Sequence, residues 1–402
     1  MKVVICGAGI AGLALAQRLD TVGAEVVMLE KAPRPRTQGY MIDFFGPGYD
    51  AAEAMGLLPR IQQLGYQVAE MTYRDEIGRR RAGMRFAQFA KIVDGRLVSI
   101  MRPDLESALR GHVPDRVEMR WATSLTRIDN RPDGVSLILT DGSRLDADLL
   151  VGADGIHSTV RDQVFGPEEE FLRYLGFHTA AWAFSDPDVN AQVAGQFCLT
   201  DTVNRQMGFY GLRDGRVAVF TVHRTPDPTL PSDAREAVRR EYGNLGWLVP
   251  RALAACPPAS QVYYDQVAQI EAPTWHRDRV VLIGDAAYAV SLLAGQGASL
   301  GITGAYLLAE HLAQADTIAT ALHRYEQMLR PVVADKQQAA RDGTRWFIPA
   351  TTGQLRIRRA ALKLARLPIV DRYVAGALAG KSTAIVTNLH ATGRPAAPTR
   401  TP

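Results

Sequence analysis

Lysine is scarce in this sequence: only six of its 46 basic residues are lysine, and the excess over 42 acidic residues leaves a net charge of +4. No dense basic block is interleaved with aromatic residues, so nucleic acid is not an expected partner. Cysteine is scarcer still. Cys6, Cys198 and Cys256 are odd in number and widely spread, which excludes a disulfide framework and metal-ligand spacing and points to a reducing, cytoplasmic setting. No Ser-His-Asp constellation or His/Cys cluster appears, so neither an acyl-transfer triad nor a metal is expected. A long uncharged run does occur between Asp285 and Glu310, but Gly295, Gln296, Gly297, Gly301 and Gly304 interrupt it. Gly-Gln-Gly would open a helix in lipid, so this stretch predicts a loop and a buried helix and no membrane association. The run after Met1 predicts a strand and not a cleaved leader. No internal repeat is visible.

What is present is core material. At 402 residues with 47% apolar composition, two lobes are expected. The opening run, the segment "AGLALAQRLDTVG" at helical spacing and the run "AEVVMLE" closing on Glu30 read as a βαβ unit. Arg34 to Gly48, rich in Pro, Gly and Arg, reads as a loop that wraps a ligand. "RPDLESALRGHV" returns to helical period, "VEMRWATSLTRID" reads as a strand, and Asp141-Gly142 marks a hairpin. From Glu170 to Ala272 short alternating runs predict an antiparallel sheet. Residues 318–380 read as helices broken at Pro331, Pro349 and Pro368. The expected architecture is α/β, a Rossmann-like dinucleotide-binding domain with an inserted antiparallel β-sheet substrate domain and a helical C-terminus. The dinucleotide-binding domain takes 1–70, 101–169 and 275–345, and the substrate domain takes strands in 71–100 and then 170–274. C-terminal helices follow at 346–390, and 391–402 is expected to be a disordered tail.

Gly7-x-Gly9-x-x-Gly12 follows the first strand and opens the first helix, the context that a dinucleotide fingerprint requires. Gly7 permits the turn, Gly9 lets backbone approach a pyrophosphate, and Gly12 lets helix and strand pack closely. Pyrophosphate charge then meets the free N–H groups of a helix N-terminus. Glu30 is placed for ribose hydroxyls, and its charge repels a 2′-phosphate. These residues do not decide between NAD and FAD.

Two further stretches carry more information. "LLVGADGIHSTVR" holds Asp154-Gly155, Ser158 and Arg161, and "VVLIGDAAYAVSLLAGQG" holds Gly284-Asp285 and Gly295-Gln296-Gly297. With the glycine loop in the same order, the chain resembles the class A, single-component FAD-dependent aromatic hydroxylases over residues 1 to about 345 (a family-scale length for such lobes). It looks most like their short members, the salicylate-type hydroxylases and tetracycline-inactivating oxygenases. The resemblance implies tightly bound FAD with NADPH or NADH as a transient co-substrate, matching the single GxGxxG. It implies a flavin C4a-hydroperoxide, formed from O₂, that hydroxylates an aromatic or polycyclic small molecule. Two alternatives share the scaffold: an FAD-dependent reductase or dehydrogenase, and a non-catalytic flavoprotein that binds a reactive metabolite. A monomer or homodimer is expected.

The residues the resemblance assigns to the cofactor are Gly7, Gly9, Ala11, Gly12, Glu30, Lys31, Arg36, Arg102, Asp154, Gly155, Arg161, Gly284, Asp285, Gly295, Gly297 and Ala298. Asp285 suits a ribityl hydroxyl, or else caps a helix. Gly295 to Gly297 suit a helix start aimed at the flavin pyrimidine edge. Asp154 and Arg161 also admit a plain capping and ion-pairing role. Phe44, Phe45, Trp182, Phe209, Tyr210 and Phe220 are candidates for the substrate pocket, and Tyr210 and His223 for acid/base work. The chain departs from the family pattern at Tyr288, Leu292 and Ser299, where histidine, proline and asparagine are usual. Leu292 restores an N–H that proline lacks, so a looser loop and H₂O₂ leakage are expected. Finally, "GQLRIRRAALKLARLP" reads as a helix packed on the protein body with a basic face exposed, not bound to membranes.

Overall fold

The computed structural model describes residues 1–364 except Thr37, Leu293 and Ala294, together with Ile385, Val386 and Leu389. The expected tail at 391–402, Pro368, and the end of the basic C-terminal segment at Arg366 and Leu367 lie outside the described residues.

The opening strand Lys2–Cys6 is apolar and buried on both faces, as a central parallel strand must be. It lies between Leu149–Gly152 and Glu25–Glu30, in a sheet completed by Val280–Leu282 and His276–Arg277 on one side and Glu118–Trp121 on the other. The helix Ile10–Thr21 follows the glycine loop and packs along the long helix Gly297–Gln314. Small residues allow this approach: a Cβ on Gly301 would stand 3.4 Å from the Ala11 Cβ. A three-stranded meander, Leu125–Arg131, Gly134–Leu139 and Arg144–Ala147, flanks the sheet.

The second lobe is a seven-stranded sheet in the order Tyr263–Ile270, Leu172–Ser185, Arg216–Arg224, Arg205–Gly211, Gln196–Thr200, Glu70–Arg74, Arg80–Arg85. One of its faces, with Trp182, Phe209 and Val219, is sealed by the helices Ala234–Tyr242 and Val249–Ala254. Its other face, with Phe220, Tyr210 and Phe197, looks toward the strand pair Met41–Phe45 and Leu97–Met101. This alternation follows from the two-residue period of a strand.

Three sequence expectations change. Arg34 to Gly48 is not loop throughout: Met41–Phe45 pairs antiparallel with Leu97–Met101, and the helix Pro47–Ala54 begins immediately after. The partner strand lies too far along the chain for local pattern to reveal it. "VEMRWATSLTRID" is two strands, because Ala122 takes a left-handed φ of 52° and redirects the chain from the parallel sheet into the meander. Pro331 does not break a helix. Ile318–Phe347 runs through it, with Leu322, Tyr325, Leu329 and Val333 buried on one continuous face whose packing outweighs the lost hydrogen bond.

The C-terminal helix Thr352–Leu364 does pack on the body, against strand Arg80–Arg85. Its basic residues, however, are divided. Arg356 and Lys363 are exposed, whereas Arg358 is buried and Arg359 half-buried. Both reach the fully buried Asp201, at 2.9 and 2.5 Å, and the Arg358 guanidinium also covers the Tyr73 ring. A buried carboxylate needs counter-charge, and that requirement turns the two arginines inward. No helix among the described residues is long and apolar enough to cross a membrane.

Candidate functional site

A cleft opens at the C-terminal ends of the parallel strands, where an open α/β sheet places ligands. Gly7, Gly9, Glu30, Lys31, Arg36, Arg102, Asp154 and Gly155 line it together, residues drawn from four separate stretches of sequence. The glycine loop is shaped for this. Gly7 holds φ 109°, a Cβ on Gly12 would collide with the Gly7 carbonyl oxygen, and a Cβ on Gly9 would meet nothing within 4 Å. Backbone therefore faces open space at the start of Ile10–Thr21, and among the described residues no side chain caps that helix. The Glu30 carboxylate accepts the Ala8 N–H at 2.9 Å and the Ala32 N–H at 2.8 Å, which fixes it beside the loop.

Asp154 is tied to the turn that follows it. It lines the cleft, and it accepts from Ser158 Oγ at 2.6 Å and the Val160 N–H at 3.1 Å. Burial pushes its carboxyl up, and these two bonds hold it back. Ser158, not Asp154, is the N-cap of the helix Thr159–Val164. Arg161 lies behind the cleft and not in its wall. Fully buried, its guanidinium donates to the Ala286 and Ile156 carbonyls and pairs with Glu168 at 3.1 Å. That is the ion-pairing role, moved from the surface into the interior. His157 ties the same loop to the large sheet through Glu168 at 3.0 Å and Asp265 at 3.2 Å, and these carboxylates raise its pKa to about 9.

Arg102 pairs with Glu106 at 2.9 Å and bridges the cleft to a second region. There it sits within electrostatic reach of Tyr40, Tyr263 and Asp285, and together these carboxylate and phenol neighbours raise its pKa against the opposing effect of burial. Asp285 is exposed by surface area although protein surrounds it, and desolvation raises its pKa. Gly284, not Asp285, caps the short helix Asp285–Tyr288, so Asp285 is not needed as a cap. Gln296 is the N-cap residue of Gly297–Gln314 and is buried, yet among the described residues neither atom of its amide has a hydrogen-bond partner. A buried amide left open in this way fits a ligand with both donors and acceptors at that edge. Gly284 and Gly297 pack against Ala11 and Asp285 respectively, Ala298 is half-buried one residue beyond Gly297, and Gly295 takes φ 62° in the turn.

The family departures have structural explanations. Tyr288 points into the core, against Trp275 and the Tyr325 hydroxyl. Ser299 Oγ accepts the Gly48 N–H at 2.9 Å and donates to the Phe45 carbonyl at 2.7 Å, joining the long helix to strand Met41–Phe45. Leu292 follows Ser291, whose φ is 88°, and its carbonyl accepts the Gly295 N–H at 3.1 Å.

Several substrate candidates are placed elsewhere. Trp182 and Phe209 belong to the sealed face of the large sheet. His223 shares that face: buried, bonded through Nδ1 to the Tyr242 hydroxyl at 3.2 Å and edge-on to His178, it has its pKa pushed down to about 4 by desolvation and by His178. It is neutral and remote from the cleft, so it is not an acid/base group there. Phe44 is buried in the main core against Tyr49, and Phe45 is buried with its backbone tied to Ser299. Phe220 and Tyr210 remain on the facing surface, Phe220 beside Tyr40 and Tyr210 stacked on Phe197 at 4.1 Å.

Sequence reasoning missed Trp121, Arg110 and Arg34 in the cleft, and Tyr40 and Tyr263 beyond it. Trp121 lies opposite Glu30 only because Glu118–Trp121 pairs with the second strand, a sheet order no local signal encodes.

The family described as FAD binding domain matches residues 1–340. A flavin-dependent monooxygenase from an unknown prokaryotic organism is 30% identical over 84% of this chain and 87% of its own. The salicylate hydroxylase of Pseudomonas putida is 31% identical over 82% of each chain. Among solved structures, tetracycline destructase Tet(51) superposes with TM-score 0.78 at 25% identity, over 92% of this chain and 97% of its own. The complex of Klebsiella pneumoniae HpxO with FAD and uric acid superposes with TM-score 0.76 at 24% identity, over 94% and 97%, and so shares the fold.

Proposed function

Because this chain belongs to the FAD binding domain family, among flavin-dependent monooxygenases of the aromatic hydroxylase type, we propose that it uses NADPH or NADH and O₂ to hydroxylate an aromatic or polycyclic small molecule. One observation carries the reading. Strand Met41–Phe45 is anchored at one end by the Arg102 N–H on the Tyr40 carbonyl (3.0 Å), and at the other by Ser299 on the Phe45 carbonyl. These two anchors hold the strand between the cleft, which Arg102 lines, and the start of the helix Gly297–Gln314, which carries Ser299.

Bound FAD would supply the redox chemistry, taking reducing equivalents from the nicotinamide nucleotide and activating O₂. The protein's part is placement. The glycine-loop amides and helix N-terminus would receive the pyrophosphate, and Glu30 the ribose. Arg102 and Asp285 would hold the ribityl chain. The Gln296 amide and the N-terminus of Gly297–Gln314 would meet the flavin ring, where a helix dipole stabilises negative charge. The facing sheet would exclude water and hold the aromatic ring.

Purified protein should be yellow and release FAD. Oxygen electrode and NAD(P)H absorbance traces, with and without an aromatic substrate, test the rest. Substrate-stimulated O₂ uptake with one oxygen in the product is expected. Hydride transfer without O₂ uptake would favour a reductase, and no turnover at all a binding protein.

A further inference from the structure

Strands Met41–Phe45 and Leu97–Met101 pair with Met41 opposite Met101 and Asp43 opposite Ser99. These four side chains share one face. Met41 and Met101 pack there against Tyr210 and Ala218 of the large sheet and Leu212 just beyond its strand, so Asp43 and Ser99 point into the layer between the two sheets. That layer is apolar, and a carboxylate in it is costly unless something satisfies it. Among the described residues Asp43 receives one side-chain hydrogen bond, from Ser99 Oγ to Oδ1 at 2.5 Å, and no cation pairs with it. Desolvation raises its pKa while the Ser99 bond lowers it. An ionised carboxylate can accept several donors, so Oδ2 has unused capacity. A staple between two strands would need only a neutral acceptor.

Two more observations say what Oδ2 faces. Asp43 is half-buried, so solvent reaches part of it. Across the layer, the buried Tyr210 feels the Asp43 charge, and its hydroxyl has no hydrogen-bond partner among the described residues. Along the chain, Asp43 sits between Tyr40, anchored by Arg102, and Phe45, anchored by Ser299. It therefore stands between the two anchored ends of this strand.

We propose that Asp43 is a specificity-determining residue that accepts a hydrogen bond from a hydroxyl or ammonium group on the substrate, with the Tyr210 hydroxyl as a second polar contact. The inference rests on the monooxygenase reading and narrows it. The favoured substrates are neutral or cationic rings carrying a donor, and anionic aromatic carboxylates are disfavoured by charge.

The test uses FAD-loaded protein at pH 8 and three probes, 2,7-dihydroxynaphthalene, 2,7-dimethoxynaphthalene and 2-naphthoate, with binding read from the change in flavin fluorescence. The wild type should prefer the dihydroxy probe to its ether by about tenfold, the scale of a hydrogen bond to a charged acceptor. Asp43→Asn should lose that preference and bind 2-naphthoate more tightly. Ser99→Ala, which frees the carboxylate without removing it, should retain the rejection of naphthoate. Flavin content and thermal midpoint of each variant report folding. Equal affinity for hydroxyl and ether in the wild type, unchanged discrimination in Asp43→Asn, or no binding of the dihydroxy probe overturns the inference. A yellow, oxygen-consuming protein that ignores the hydroxyl defeats this inference alone. A folded protein without FAD defeats the functional reading and this inference with it.

Discussion

His223 offers a measurable consequence of burying a titratable ring where nothing compensates its charge. It lies on the sealed face of the large sheet, 7% exposed, against Tyr242 and His178, with Arg205 and Arg240 adding positive potential. These surroundings take its pKa from 6.5 to about 4. The unfolded chain therefore binds the proton more readily than the folded one. The stability that follows is fully present above about pH 6.5, and is lost as pH falls toward 4. Linkage between those two values gives a loss of about 2 kcal/mol on going from pH 7.5 to pH 5. For a chain of 402 residues, unfolding entropy of roughly 2 cal/mol/K per residue converts this to about 2–3 °C in Tm. The comparison is between wild type and His223→Gln, which keeps a polar side chain but cannot titrate. Both are scanned by differential calorimetry with saturating FAD at pH 7.5, 6 and 5. The wild type should lose about 2–3 °C more than the variant over this range. Parallel curves for the two proteins would refute the reasoning, because every other titrating group is common to both.

Further outcomes follow from the site and its supports. Gly9→Ala should leave the thermal midpoint of the apoprotein unchanged, since the added methyl meets open space, yet weaken FAD binding measured by fluorescence titration; Gly12→Ala should destabilise the apoprotein by roughly 1–3 kcal/mol through collision with the Gly7 carbonyl. Asp201→Ala should cost about 3–5 kcal/mol in denaturant unfolding by leaving the buried Arg358 guanidinium without its counter-charge, and a near-neutral result would show that the pair is not closed in solution. His157, with its pKa raised to about 9, stabilises the fold fully below pH 6.5 and loses that contribution as pH rises through 9, so His157→Gln should show a flatter Tm profile between pH 7 and 9.5. Leu292→Pro should oppose the φ of 88° at Ser291 and change the share of NAD(P)H oxidation that ends as H₂O₂; unchanged coupling and stability together would remove Leu292 from the oxygen chemistry.

The sequence by itself determined the glycine turn with its flanking strand and helix, because these are local. The Gly7-Gly9-Gly12 spacing, the strand before it and the helix after it are set within about twenty residues, and Glu30 falls at the end of the next strand. Asp285 and the Gly-Gln-Gly turn were legible for the same reason, each being a strand end or a helix start. The other lobe was legible only as alternation. Period-two patterning marks two faces without saying which face is covered, so Trp182, Phe209 and His223 read the same as Phe220 and Tyr210. Only the tertiary structure decided between them, by placing Ala234–Tyr242 and Val249–Ala254 over one face. Long-range pairing decided the rest: Trp121 reaches the cleft because its strand lies beside Glu25–Glu30, and Asp43 meets Ser99 because two five-residue strands, 56 positions apart at that pair, form one face. Sequence proximity fixes what a backbone turn requires, whereas the environment of a side chain is set by whatever distant element is packed against it.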